Sequence, residues 1–189
     1  KEIFNPPNAG QPTFDVEAAT AHFTKTYIDE KRSHVFKALP EWIRPAEPKV
    51  PFDLSPPSLR QLEGAVKGKR NKNAPGINSV EFKVYKKCPR LLAYLLKIFC
   101  RVWDQRVIPR SWQYALIVLI AKSDKLDVPS EFRPIALLNA EGRLSFTLMQ
   151  WRLSDYMVKN GYINVQIQKG FMSDVAGCIE HSETMNQVL

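Results

Sequence analysis

The chain has 189 residues, of which 44% are hydrophobic and 11% aromatic, a composition typical of a folded globular protein and not of a disordered one. It contains no run of about 18 apolar residues, so no membrane-spanning helix is expected. Its three cysteines, Cys88, Cys100 and Cys178, favour free thiols and an intracellular location, nuclear or cytoplasmic, over a secreted disulfide framework. Because the first residue is Lys1 and not methionine, a fragment of a longer protein is expected.

The net charge of +8 is unevenly distributed along the chain. Residues 1–57 carry seven Lys or Arg and eight Asp or Glu, whereas residues 60–110 carry 13 basic and only three acidic side chains. A local excess of this kind is typical of a protein that binds a polyanion such as nucleic acid. A solvated basic face that keeps the protein soluble is the alternative, and charge alone does not decide between the two.

The N-terminal part is predicted to contain a short helix followed by an extended tract. Apolar and aromatic residues recur with roughly helical spacing over residues 18–30. Six prolines between residues 40 and 57 then exclude a continuous helix. This tract is predicted to lie along another surface of the protein, with Trp42 and Phe52 as its anchors.

Two helices separated by a polar loop are predicted next. The segment DLSP at residues 53–56 is a helix-start signal, and the helix after it is predicted to end near Lys69. Residues 70–79 form a polar loop, and the second helix spans residues 90–107, where Pro109 stops it. The predicted inward positions are Leu59, Leu62, Ala65 and Val66 on the first helix and Leu91, Leu92, Leu95, Ile98, Phe99, Val102 and Trp103 on the second.

A β-hairpin is predicted for the following segment. Residues 115–120 are a continuous run of mostly branched apolar side chains, which favours a buried strand. A polar turn follows at residues 122–125, and residues 132–138 are predicted to be extended and to pair with the first strand.

A long helix is predicted after the hairpin, over residues 140–159. Turns are expected at residues 160–161 and at Gly170, and a last helix is expected to begin near Ala176. The predicted buried side of the long helix consists of Leu144, Leu148, Met149, Leu153, Tyr156 and Met157.

Two cations stand at matching positions of the predicted hairpin. Lys122 follows the first strand, and Arg133 lies near the start of the second. A guanidinium presents a planar fork to phosphate oxygens, whereas lysine supplies only a point charge. The alternative is that Arg133 pairs with Glu131 or Asp127 and that Lys122 is merely solvated.

Four motifs in order resemble the fingers region of reverse transcriptases of non-LTR retrotransposons, most closely the site-specific elements with a restriction-like endonuclease. They are NAPGINS at residues 73–79, WQYA at residues 112–115 with the strand and Lys122 after it, FRPI at residues 132–135 and QKGF at residues 168–171. In this family the basic residue after the strand and the arginine before Pro-Ile contact the phosphates of the incoming nucleotide. The resemblance therefore implies that role for Lys122 and Arg133, since phosphoryl transfer needs the triphosphate held in line and its charge neutralised.

The first and last motifs imply contacts with the template strand. The first has Asn78-Ser79 where the family usually has Asp-Gly, and cations precede it. In the last, a glycine lets a nucleic-acid backbone approach closely and a glutamine can donate to a base or sugar. Ordinary turns between helices are the alternative for both. The residues implied in template binding are Lys69, Arg70, Lys72, Gly76, Gln168 and Gly170.

The predicted fold class is α/β (α+β), with helix-rich polymerase fingers, a small antiparallel sheet and the beginning of a palm. The resemblance implies an N-terminal extension over residues 1–57 and fingers with the start of the palm over residues 58–189. It places the family's first catalytic aspartate beyond Leu189, so no catalytic residue is expected in this chain, and Mg²⁺ is expected only for the full-length parent. The run CIEH at residues 178–181 offers too few ligands for a zinc site, so no metal site is expected either.

The resemblance also implies partners. They are an RNA template or RNA–DNA hybrid, a deoxynucleoside triphosphate and the remaining palm of the parent polymerase, with no membrane. The parent activity is RNA-directed DNA synthesis, which the chain alone is not expected to perform. A second hypothesis is a non-enzymatic module derived from a reverse transcriptase fragment, which binds RNA or associates with itself through an uncovered apolar surface.

Overall fold

The structure is a computed structural model that describes residues 11–30, 46–71 and 73–168. Several predictions lie outside these residues: the Trp42 anchor, Lys72, the turn at Gly170, the helix near Ala176 and the run at 178–181. Within the described residues, no helix is both long and apolar enough to cross a membrane.

Five α-helices and one pair of antiparallel strands make up the described part of the chain. The helices are α1 (Val16–Tyr27), α2 (Leu59–Lys67), α3 (Phe82–Lys87), α4 (Pro89–Gln105) and α5 (Ala140–Lys159), and the strands are β1 (Ala115–Ala121) and β2 (Phe132–Leu138). This arrangement confirms the mixed α/β class. Helix α3 was not predicted, because six residues are too few to show a helical period.

Helix α2 begins at a capping box and not at the predicted signal. The Ser58 hydroxyl accepts from the Gln61 backbone N–H at 3.2 Å, and the Gln61 side chain accepts from the Ser58 N–H at 3.0 Å. The predicted start at residues 53–56 was wrong. There, the Asp53 carboxylate instead accepts from the backbone N–H and hydroxyl of Ser55, which forms a local turn.

The core lies where α2, α3, α4 and α5 meet, beside Trp112 on the turn before β1. Five predicted inward positions were wrong, because Leu59 on α2, Leu91 and Ile98 on α4, and Met149 and Leu153 on α5 are exposed. Each helix packs on one side only, so the buried stripe is narrower than the apolar periodicity suggests. The buried core residues are Leu62, Ala65, Val66, Phe82, Tyr85, Leu92, Leu95, Phe99, Trp112, Ala140, Leu144 and Leu148.

The predicted hairpin is confirmed, but its predicted burial is wrong. Strands β1 and β2 pair in antiparallel register, with Val118 opposite Ile135. In β1, Leu116 is 47% exposed and Ile117 is 54% exposed. A continuous apolar run is typical of a strand covered on both faces, whereas no third strand of the described residues joins this pair.

The extended tract packs along α5, as predicted. The Asn160 side chain at the end of α5 accepts from the Val50 N–H at 2.8 Å and donates to the Val50 carbonyl at 3.0 Å. The ring of Phe52 packs edge-on against Tyr156, with ring centroids 5.5 Å apart, which confirms Phe52 as an anchor.

A buried arginine completes this attachment. The guanidinium of Arg152 donates to the carbonyls of Ser55 and Pro56 and to the side-chain oxygen of Gln61. It also lies over the Trp103 ring, 4.6 Å from the ring centroid. Arg152 is only 8% exposed, although it was not among the predicted buried residues of α5.

Candidate nucleic-acid and nucleotide interface

The hairpin places Lys122 and Arg133 on the same face. Arg133 pairs with Ile120 in the register, and the Lys122 backbone N–H donates to the Glu131 carbonyl at 2.7 Å, which continues the ladder by one residue. Because side chains alternate between faces along each strand, Lys122 and Arg133 are diagonal neighbours. Diagonal residues of an antiparallel pair lie roughly 7–8 Å apart, so both cations can reach one polyphosphate.

The predicted alternative, in which Arg133 pairs with a neighbouring carboxylate, is not observed. Arg133 is exposed, and the Glu131 carboxylate accepts from the Ser123 hydroxyl at 2.8 Å instead. Lys122 donates its ammonium to the carbonyl of Ser130 at 2.7 Å, which holds its side chain at the tip of the hairpin. The ion pairs within the described residues are Lys83–Glu81, Arg152–Asp53 and Lys159–Asp155.

The loop that carries Gly76 packs against the start of α5. A Cβ atom at Gly76 would lie 2.5 Å from the backbone nitrogen of Asn139, so only glycine fits without displacing the backbone. The Asn139 side chain accepts from the Asn78 N–H at 3.2 Å and donates to the Ser111 carbonyl at 3.0 Å. Packing alone thus accounts for glycine at this position, and its template contact stays a prediction.

A carboxylate network fixes the other side of this loop. The Glu141 carboxylate accepts from the Asn78 side chain, at 3.0 Å for Oε2, and from the Tyr85 hydroxyl. Burial raises the pKa of Tyr85, and the hydrogen bond to Glu141 and its negative charge raise it further. Asn78 stands where the motif usually has aspartate. Its amide group donates to Glu141, which an aspartate carboxylate could not do because it has no N–H.

A basic cluster that sequence reasoning only half identified lies beside this loop. Lys69, one of the predicted template residues, donates its ammonium to the Thr147 hydroxyl at 2.9 Å on α5. Arg143, on the first turns of α5, lies over the Phe82 ring, with 4.9 Å between its guanidinium carbon and the ring centroid. Arg143 belongs to none of the four motifs, and only its position close after the FRPI motif could have drawn attention to it. Arg70 is exposed next to Lys69.

The structure separates the predicted nucleotide residues from the predicted template loop. Gly76 contacts the end of β2 at Leu138, whereas Arg133 lies five residues earlier on the same strand. At about 3.3 Å per residue this corresponds to roughly 17 Å along the hairpin. Gln168 lies in a turn after α5, where its N–H donates to the Asn164 carbonyl at 2.8 Å.

Metal ligands do not gather in the described residues. No group of three or more His, Cys, Asp or Glu side chains there is placed to hold an ion. No catalytic step is assigned to the described residues.

One curated protein is similar in sequence to more than half of the chain. It is described as a probable RNA-directed DNA polymerase from transposon BS of Drosophila melanogaster, and it is 31% identical over 108 residues. The aligned segment covers 56% of this chain and 12% of that protein, so the chain corresponds to a small part of its relative's length. No protein-family model matches the chain. The similarity supports a relationship to the reverse transcriptases of retrotransposons.

Proposed function

We propose that the chain is the fingers portion of a reverse transcriptase from a non-LTR retrotransposon. In this proposal Lys122 and Arg133 bind the phosphates of the incoming deoxynucleoside triphosphate, and the loop around Gly76 lies along an RNA template or RNA–DNA hybrid. The catalytic carboxylates and their Mg²⁺ ions belong to other parts of the parent polymerase.

The observation that carries the proposal is the hairpin tip. Two cations lie on one face of adjacent strands, and neither forms an ion pair with any described residue. A cation kept free of carboxylates on the hairpin remains available for phosphate, with which arginine forms strong bidentate hydrogen bonds. The sequence similarity to a transposon RNA-directed DNA polymerase supports the coarser part of the proposal, a relationship to reverse transcriptases.

One face of the hairpin is apolar and exposed, which supports the proposal that another surface of the parent protein covers it. Leu116, Val118 and Ile120 share one face with Ile135, and all four are exposed. An isolated two-stranded ribbon is marginally stable in water, so such a hairpin is expected to be covered. The proposed cover is the rest of the parent polymerase.

The test is an NMR titration of the ¹⁵N-labelled chain with a deoxynucleoside triphosphate and, separately, with the corresponding nucleoside. The triphosphate should shift the amide signals of residues 120–123 and 131–133 in a saturable way, and the nucleoside should not. Arg133→Ala should lower the affinity for the triphosphate by about tenfold or more, since it removes a charge-assisted hydrogen bond.

The matched control is Arg101→Ala, which removes an exposed arginine from α4. It should leave the triphosphate affinity within about twofold of that of the unmodified chain. Equal losses in the two variants would show a nonspecific charge effect, and signals that do not respond to the triphosphate would overturn the assignment of the hairpin tip.

A further inference from the structure

Two cations share one aromatic ring beside the Gly76 loop. The guanidinium carbon of Arg143 lies 4.9 Å and the ammonium of Lys69 lies 6.0 Å from the ring centroid of Phe82. Phe82 is only 1% exposed, so its ring is a fixed part of the core. The two cationic groups therefore lie beside the same buried ring.

Neither cation has an anionic partner among the described residues. The ion pairs there involve other side chains, and the nearest carboxylate on the first turn of α5, Glu141, accepts instead from Asn78 and Tyr85. Lys69 donates to the Thr147 hydroxyl, while Arg143 makes one long contact of 3.5 Å with the Ala74 carbonyl.

Several donors of the pair are therefore unused in the described structure. A guanidinium has five N–H donors and an ammonium has three, whereas one recorded hydrogen bond engages each group. An anion placed between Lys69 and Arg143 would find donors on both sides. Phosphate is the anion whose oxygens best match such a combination of a planar fork and a point charge.

The arrangement has an electrostatic cost in the absence of an anion. Burial lowers the pKa of Lys69, and the positive charge of Arg143 lowers it further. Like charges that are brought together on a rigid support destabilise the fold unless a ligand compensates them. Perturbed groups of this kind concentrate at binding sites.

The surroundings favour an extended polyanion over a small one. Arg70 is exposed on the residue after Lys69, and the Lys86 ammonium donates to the backbone carbonyls of Lys67 and Lys69, which brings a further cation to this edge. A row of cations that continues beyond one binding pair matches the repeating charge of a nucleic-acid strand.

We propose that Lys69 and Arg143 together bind a backbone phosphodiester of a nucleic-acid strand, at the end of the hairpin opposite to Lys122 and Arg133. The inference rests on the proposed function, and it adds Arg143 as a residue that positions the template strand. Contact with a phosphodiester does not depend on the base sequence.

The test measures the binding of a fluorescein-labelled 12-nucleotide single-stranded RNA to the chain by anisotropy, between 25 and 200 mM salt. Arg143→Met and Lys69→Met each keep an apolar stem over Phe82 but remove the charge. Each should lower the affinity by roughly tenfold and reduce the slope of log affinity against log salt by about 0.7, the value for one phosphate of a single strand. Arg143→Lys should recover part of the loss.

The matched control is Lys159→Met on the same helix. Lys159 lies 16 residues from Arg143, about 24 Å along α5, and it is paired with Asp155 at 2.8 Å. This variant should leave both the affinity and the slope nearly unchanged. A single-stranded DNA of the same sequence should show the same losses with Arg143→Met, because the phosphodiester is common to both strands.

The outcomes separate this inference from the proposed function. If the unmodified chain binds RNA and both methionine variants bind with an unchanged salt slope, the Lys69–Arg143 site is refuted while template binding stands. If a loss occurs with RNA only, the pair contacts the 2′-hydroxyl and not the phosphate, which also refutes the inference. If the unmodified chain binds no RNA at 25 mM salt, both the template role and this inference fail, whereas the triphosphate titration still tests the hairpin tip.

Discussion

Replacement of Arg152 by alanine should strongly destabilise the chain. The Arg152 side chain is only 6% exposed. Its guanidinium donates to the backbone carbonyls of Asp53, Ser55 and Pro56 and to the side-chain oxygen of Gln61. Alanine would leave these acceptors unpaired and would remove the stacking on Trp103.

The magnitude follows from the number of groups left unpaired. Removal of one partner from a buried charged network typically costs about 3–5 kcal/mol. For a chain of this size each kcal/mol lowers Tm by about 2–4 °C, so Arg152→Ala should lower Tm by roughly 6–20 °C. Arg152→Lys should recover only part of this loss, because an ammonium cannot reach carbonyls on both sides as the planar fork does.

The assay is urea and thermal unfolding followed by circular dichroism, together with limited proteolysis of the tract at residues 46–58. Lys159→Ala is the matched control, because its exposed pair with Asp155 should contribute less than about 0.5 kcal/mol. Arg152→Ala should also make the tract a preferred cleavage site, since the tract loses its central attachment to α5. A stability within 1 kcal/mol of the unmodified chain, with no new cleavage, would refute the reasoning.

Three further predictions concern the loop and the hairpin. Gly76→Ala should destabilise the chain by about 1–3 kcal/mol in urea unfolding, because the new Cβ would meet the backbone of Asn139 at 2.5 Å, and an unchanged midpoint would contradict that packing. Tyr85→Phe should reduce the loss of stability above pH 10. There the unfolded chain ionises its tyrosine while the raised pKa keeps the folded one neutral, so the free energy of unfolding should fall less between pH 9 and pH 11 in the variant than in the unmodified chain. Arg133→Ala should leave Tm within about 2 °C of the unmodified value, because no described residue pairs with its guanidinium, and a larger drop would indicate a structural role in place of nucleotide binding.

Local patterns predicted the elements that position the hairpin tip. The bounds of α5 were predicted correctly at residues 140 and 159, because its apolar period is long and turn residues follow it. The hairpin was predicted from two apolar segments around a polar turn, and this pattern placed Lys122 just after the first strand and Arg133 near the start of the second. Such features depend on residues close together in the chain, which is why they can be read without a structure.

Burial on the helices was predicted less well. Apolar periodicity marked Met149 and Leu153 as inward, but both are exposed, while the charged Arg152 on the same helix is buried. Hydrophobicity indicates which side chains can be buried, whereas the position of neighbouring elements decides which ones are.

The sequence by itself therefore determined the mixed α/β class, the hairpin with its two cations and the similarity to a reverse transcriptase. Only the tertiary structure decided that Gly76 is required by the backbone of Asn139, that Arg152 fastens the tract to α5, and that Lys69 and Arg143 meet over one ring. These contacts join residues that lie 60 to 100 positions apart, and no local period or motif specifies them. The packing of whole helices decides which of these distant residues come into contact, and the sequence around each residue does not indicate its partner.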